Sequence, residues 1–300
     1  MKVTEFSEKT KHDHVPAPWE PLLAEGDFVS YLPTYRGGQY LELFDEMKTE
    51  HETVGEMTSY FYDAAKHGGN EAKSMPLLVF LHGATNALAG KICGMHSGCE
   101  LYASPQYQAD MGGGAYLLVP LANEKTDENG NLTDSWSPAY VNALREIVEK
   151  VKREHPVSSV IVLGGSSGGY MTWKLTAAAQ DLVNACVPIS ADGIPDAETL
   201  KAMDAKGIRM LVCHGRHDEL CPFDECVAPR EQELLALKNC ICYFPEWVCN
   251  GDGGVASLNF GFEMGQHCLI NQVQANLLFA DGTPYDERLP QGVTHWIRSL

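Results

Sequence analysis

The sequence has no long apolar run. No stretch of its 300 residues approaches the ~18 uninterrupted apolar positions that a membrane-spanning helix needs, so no membrane span is expected. Basic residues are also scarce: 22 Lys and Arg stand against 40 Asp and Glu, a net charge of −18. That balance repels phosphate backbones and anionic membranes, so neither nucleic acid nor a membrane is expected as a partner. The opening MKVTEFSEKTKHDH has no apolar signal core, which gives the expectation of a cytoplasmic protein. The ten cysteines contain no C-x-x-C pair, and no histidine spacing completes a zinc site. Cys221 with Cys226, or Cys240 with Cys242, are the only pairings worth weighing, and no metal is expected. Cys186, Cys213 and Cys242 lie inside apolar runs and read as buried free thiols of a reducing compartment. There is no internal repeat, low-complexity tract or long linker.

What is present is a rhythm. The apolar fraction, 44%, is enough for a folded core and too high for a disordered chain. Residues 1–54 are interrupted by Pro16, Pro18, Pro21 and Pro33 and read as an arm packed on a core, with an edge strand near Asp27–Leu32. Residues 55–300 form the second unit. Gly55–Ala65 alternates like a half-buried strand. Short continuous apolar runs follow at Pro76–Leu81, Ala115–Val119, Val160–Leu163, Ala185–Ile189, Arg209–Cys213 and Cys240–Phe244, with a last strand candidate at Phe260–Met264. Between them, Tyr140–Glu154 has a helical stripe of Val141, Leu144, Ile147, Val148 and Val151, and Ser167–Ala179 reads as a helix. Strands apolar at nearly every position, alternating with helices, imply a mostly parallel sheet covered on both faces. Ligands bind such sheets beyond the carboxyl ends of the strands, so the residues after each run carry the information.

Those residues are specific. His82-Gly83-Ala84-Thr85 follows Leu81, and Gly164-Gly165-Ser166-Ser167-Gly168-Gly169 follows Leu163. His214-Gly215-Arg216-His217-Asp218 follows Cys213, and Gly265-Gln266-His267-Cys268 lies beyond the last strand candidate. Serine, aspartate and histidine thus occur in strand-end loops in the chain order expected of α/β-hydrolases. A serine hydroxyl becomes a nucleophile only when a base takes its proton, and the base needs a carboxylate to fix its tautomer. Two frames are open for the nucleophile, because Ser166 and Ser167 each sit in a G-x-S-x-G. Strand geometry favours Ser166 at the tip of the turn, with Ser167 already beginning the helix. For the acid, Asp218 is expected, with Glu219 its nearest competitor and Asp192 and Asp196 weaker ones. For the base, His267 is expected ahead of His295, which lies in a terminal helical pattern. His82 and His214 read as loop braces.

The stretches LLVFLHG (77–83), VIVLGGSSGGYMTW (160–173), VCHGRHDELCP (212–222) and GQHC (265–268) resemble the α/β-hydrolase superfamily of serine esterases. More narrowly they are similar to the polyhydroxybutyrate depolymerase, esterase D and feruloyl or acetyl-xylan esterase group. The resemblance spans roughly residues 55–300. It implies an α/β-hydrolase fold and a cofactor-free acyl-enzyme mechanism. Relatives carry G-x-S-x-G-G directly after the strand, which also places the nucleophile at Ser166. The N–H of Ser167 is then one oxyanion donor, and the second comes from Ala84 or Gly83. Relatives often have more glycine where this chain has Ala84-Thr85, which leaves that second donor open.

Other readings are weaker. GGSSGG lacks the lysine of a phosphate loop and does not make G-x-G-x-x-G. A prolyl-oligopeptidase-like serine peptidase would share the turn, but residues 1–50 are too short for a propeller. A non-catalytic binding protein on the same fold is the other alternative. About twenty residues separate Ile189 from Arg209, too few for a cap beyond the crossover helix, so the site is expected to be open. An open site suits a bulky ester, carbohydrate or phenolic. The long stretch Ala84–Gly114 is expected to wall the pocket. Met95, Tyr102, Tyr107 and Met111 are candidates for an acyl site or for packing the loop itself; Trp136 and Trp247 are candidates for stacking a ring. The expected partner is a small-molecule or oligosaccharide ester, with a homo-oligomer left open.

Overall fold

The apolar runs become strands. The computed structural model describes residues 40–69, 73–93, 98–248, 265–274, 276–277, 284 and 286–300. The expected edge strand at Asp27–Leu32, the strand candidate Phe260–Met264 and Met95 lie outside the described residues.

Among the described residues eight strands form one sheet: β1 (Phe44–His51), β2 (Gly55–Tyr62), β3 (Met75–Leu81), β4 (Tyr116–Pro120), β7 (Val157–Gly165), β8 (Ala185–Ile189), β9 (Arg209–Cys213) and β10 (Cys240–Tyr243). Two-residue strands β5 (Lys125–Thr126) and β6 (Leu132–Thr133) make a separate ribbon. The order across the main sheet is β1-β2-β4-β3-β7-β8-β9-β10. β2 pairs antiparallel with both β1 and β4; every later pair is parallel. The central strands are apolar at nearly every position because both their faces are covered: Leu77 through Leu81 are all fully buried.

One expectation is corrected here. β1 falls inside the segment read as an arm, yet Phe44 through His51 pair residue by residue with Tyr62 back to Gly55. Its interior, Asp45 to Glu50, is largely exposed, as the polar side of an edge hairpin should be. A strand this polar has no apolar run to announce it.

Helix α1 (Tyr140–Glu154) buries Tyr140, Ala143, Leu144, Ile147, Val148 and Val151 on one stripe and places Lys152 and Arg153 in its last turn, where cations meet the negative helix end. Helix α2 (Ser167–Ala178) is buried against the sheet, and α3 (Ala197–Ala205) crosses from β8 to β9. Between Ile189 and Arg209, α3 is the only helix, so no cap is inserted there. Alternate residues of the C-terminal strands divide between two cores. Cys186, Met210 and Val212 pack with Trp173, Leu200 and Phe223, whereas Val187, Ile189, Leu211 and Cys213 join the larger cluster with Leu81, Val162 and Leu163. Cys186 and Cys213 are buried free thiols, as expected; Cys242 is free but only half-buried, because its side of β10 is not fully covered. Among the described residues no helix is long and apolar enough to cross a membrane.

Candidate active site

β7 ends at Gly165 and α2 begins at Ser167, so Ser166 alone makes the turn between them. Its backbone sits at φ 58°, ψ −127°, a region that non-glycine residues seldom occupy, at a strain of about 1–3 kcal/mol. Three attachments hold it there. Ser166 N–H donates to Ile189 O (2.9 Å), tying the turn to the end of β8, and Ser166 O accepts from Tyr170 N–H (3.0 Å) as the first bond of α2. The third is packing. A Cβ on Gly168 would overlap the carbonyls of Leu81 and His82, and one on Gly169 would lie 2.6 Å from Ala191 Cβ. The glycines therefore let α2 press against the ends of β3 and β8, close to the Ser166 turn. Ser166 is half-buried at the tip; the Ser167 hydroxyl is buried within the helix and hydrogen-bonded to no described residue. The two frames are thus structurally unlike, and only Ser166 has the strained, presented geometry of a nucleophile elbow.

The loop after β3 lies alongside. A Cβ on Gly83 would sit 3.8 Å from Ser166 Cβ. His82 braces this loop from beneath: its Nδ1 donates to Gly83 O (2.7 Å), and its Nε2 accepts from Ala122 N–H (3.0 Å). Those roles require a neutral ring, and burial pulls its pKa down to about 4, only partly offset by the bond to Gly83. Trp136 donates its indole N–H to His82 O (2.9 Å) and packs edge-on against Tyr140. A second brace is Glu124, whose carboxylate accepts from Thr85 N–H (3.2 Å), Ala87 N–H (3.0 Å) and the Ser135 hydroxyl (2.8 Å). Thr85 needs that support, being a β-branched residue at φ 72°.

On the other side of the sheet's carboxyl edge, Asp218 and His267 meet. His267 Nδ1 lies 2.8 and 2.9 Å from the two Asp218 oxygens. Asp218 Oδ1 also accepts from the N–H groups of Leu220 (2.9 Å) and Cys221 (2.7 Å). Burial works against the Asp218 charge, but the bonds from His267 and Cys221 outweigh it and hold the carboxyl below its ordinary value. With Nδ1 committed to Asp218, the buried Nε2 is the ring nitrogen left open, and no described residue is hydrogen-bonded to it. Three residues on, Ile270 at the start of α4 (Ile270–Gln274) packs at Gly165, which would place a Cβ 3.4 Å from Ile270 Cδ1. The histidine segment therefore rests directly on the serine turn.

His267 sits on a single 3-10 turn, Gly265–His267, held by side chains. Gln266 accepts from Val248 N–H (2.7 Å) and donates to Val248 O (3.1 Å). Glu219 accepts from Gln266 N–H (3.1 Å) and His267 N–H (2.9 Å) through separate oxygens. Gly215 makes room for this turn, since a Cβ there would lie 3.1 Å from Gln266 O. Glu219, weighed above as a rival for the triad acid, thus grips backbone rather than the ring. His295 is removed from all of this, in the terminal helix α5 (Gly292–Arg298), with its Nδ1 3.0 Å from Arg298.

The ring-stacking and acyl-site candidates scatter. Trp136 is 7% exposed and serves the His82 loop, so it does not present a face to a ligand. Tyr102, Tyr107 and Met111 are buried in the core, Tyr102 against Phe80 and Tyr107. They pack the loop, and its tight interior is why. Trp247 is half-buried and stacks on His217 with centroids 3.8 Å apart, and His217 Nε2 lies 2.9 Å from Glu246. Asp218, Cys221 and His267 offer three potential ligand atoms within 4.8 Å of one another. Both Asp218 oxygens are already engaged, however, and burial pushes the Cys221 thiol up to about 12.

The mostly parallel sheet in this strand order, with the strained serine turn between β7 and α2, is the α/β-hydrolase fold. Solved structures share it. A thermostable esterase superposes with a TM-score of 0.54 at 20% identity, covering 69% of this chain and 56% of its own. A ferulic acid esterase superposes with a TM-score of 0.50 at 14% identity, covering 67% of this chain and 88% of its own. The chain thus spans little more than half the length of the first of these. No protein-family model matches the sequence, and no curated protein is similar enough in sequence to count as a relative.

Proposed function

We propose that the protein is a serine carboxylic-ester hydrolase working through an acyl-enzyme. The observation that carries this reading is the Asp218–His267 pair, buried and joined at 2.8 Å, on a segment that packs against the strained Ser166 turn. Ser166 attacks the ester carbonyl and passes its proton to His267 Nε2. Asp218 holds the ring in the tautomer that leaves Nε2 open and stabilises the imidazolium once it forms. The Ser167 N–H, at the first turn of α2, donates to the developing oxyanion. Thr85 and Ala87 have spent their N–H groups on Glu124, so the second donor comes from Ala84 or Gly83. His267 then protonates the leaving alcohol, and water repeats the cycle on the acyl-serine. The chemistry calls for neither metal nor cofactor.

The substrate class is a bulky ester of a carbohydrate or phenolic. Its support is the lack of an inserted cap between β8 and β9 and the motif resemblance to feruloyl and acetyl-xylan esterases. Trp247 is the surviving candidate for stacking a ring, because its neighbour Val248 is bonded twice to Gln266 and so fixed beside the base. The test is hydrolysis of matched aryl acetates, methyl ferulate and the corresponding anilides. Turnover of the esters, absent in Ser166→Ala and His267→Ala and slow on anilides, is the expected result. Anilide turnover matching the esters would favour a peptidase, and no turnover of any of them would favour a binding protein.

A further inference from the structure

We infer that Glu219 is a positioning residue for the catalytic base, with a role separate from that of Asp218 beside it; the inference rests on the triad reading above. Asp218 fixes the His267 ring at Nδ1, and Glu219 fixes the same residue's backbone, taking His267 N–H on one oxygen and Gln266 N–H on the other. Two consecutive carboxylates on one strand-end loop thus hold the histidine at two points. One point would leave it free to pivot; two set both where the ring stands and how it is turned.

The chemistry of the second grip is selective. Both Glu219 oxygens must accept, because both face N–H groups. A glutamine of the same size has one accepting oxygen and would turn an N–H₂ toward a second donor. The carboxylate is also maintained at a disadvantage. Burial, helped by the adjacent Asp218 charge, raises its pKa against the pull of the N–H groups of Gln266, His267 and Glu219 itself, and no Lys or Arg contributes to that balance. A half-buried charge spent on two backbone N–H groups, with no ion pair in return, is an arrangement that space-filling alone does not require. The turn needs it because Gly265–His267 contains no repeating secondary structure of its own beyond one 3-10 turn.

The test compares Glu219→Gln and Glu219→Asp with the wild type in ester hydrolysis, with thermal unfolding measured alongside. Glu219→Gln is expected to lower kcat by about ten- to a hundredfold while KM stays within about twofold. The downfield proton resonance of His267 Nδ1–H is expected to shift or broaden. Glu219→Asp keeps the charge but reaches only one N–H, and its kcat should fall between the two. A Glu219→Gln kcat within twofold of wild type overturns the inference, as does a loss explained by the unfolded fraction at the assay temperature. If Glu219→Gln does not fold, Glu219→Asp decides: a wild-type kcat there overturns it. If the wild type hydrolyses no ester, the esterase reading fails instead, and the Nδ1–H resonance alone judges Glu219: unchanged in the variant, it overturns the inference.

Discussion

The two halves of the candidate site are held by different physics. The serine half is framework. Ser166 is forced into its turn by backbone bonds to β8 and α2 and by glycines that admit the carbonyls of Leu81 and His82. The histidine half is a single short turn, Gly265–His267, suspended from the side chains of Asp218, Glu219 and Gln266. Damage to the first should cost fold and function together. Damage to the second should cost function out of proportion to stability.

The largest expected effect would break the comparison at its base. Ser166→Ala should reduce kcat by at least about 10⁴-fold, whereas Ser167→Ala, which removes a buried hydroxyl with no described partner, should stay within about tenfold. Ester hydrolysis by the two purified variants checks this, and reversed effects would mean that the nucleophile is in the other frame. Next comes Asp218→Asn, expected to drop kcat by about 10⁴-fold with the fold retained, because the amide can no longer fix the His267 tautomer. Its circular dichroism spectrum should overlay that of the wild type.

Gly168→Ala against Gln266→Ala sharpens the contrast directly. The added methyl meets backbone oxygens that cannot move without shifting β3, so a loss of about 3 kcal/mol or more is expected. Gln266→Ala frees one N–H and one carbonyl of Val248 and should lose about 1–2 kcal/mol, yet lower kcat about a hundredfold, the larger of the two in free energy. Urea unfolding and kcat, measured on both variants, test the pairing. Equal ratios of activity loss to stability loss would erase the distinction.

The smallest effect concerns pH. His82 titrates near 4 when folded, against an ordinary 6.5, because burial disfavours its charged form. Between those values the unfolded chain carries the extra proton, so stability falls as pH drops through that window. This one group should remove about 2 kcal/mol between pH 7 and pH 4.5. His82→Gln should show a correspondingly flatter pH dependence in urea titrations; an unchanged slope would mean that His82 is not buried neutral.

The same division governs what could be read in the sequence. The serine half was legible because its constraints are local: an apolar run, a crowded glycine turn and a helix lie within Val160–Trp173. Asp218 was legible as a carboxylate after the β9 strand end; the strand candidate before His267 lies outside the described residues, and the fold brings the two side chains together across 49 residues. Glu219 and Gln266 were not legible in their roles, since Glu219 bonds across 47 and 48 residues and Gln266 across 18. Nothing in DELCP or GQHC states that one grips the other. Trp136 and Tyr102 misled for a related reason. An aromatic residue near a site motif suits ligand stacking and core packing equally, and only burial separates the two. β1 escaped notice because an edge strand whose outer positions face water carries charge where a central strand carries Leu or Val.

The central claim is that both halves converge on Ser166. It is tested most directly by reacting the protein with a fluorophosphonate and locating the modified residue by peptide mass spectrometry, with His267→Ala as the paired control. The expected result is a label on Ser166 in the wild type that is lost in His267→Ala. A label on Ser167, or no label on either serine, would contradict it.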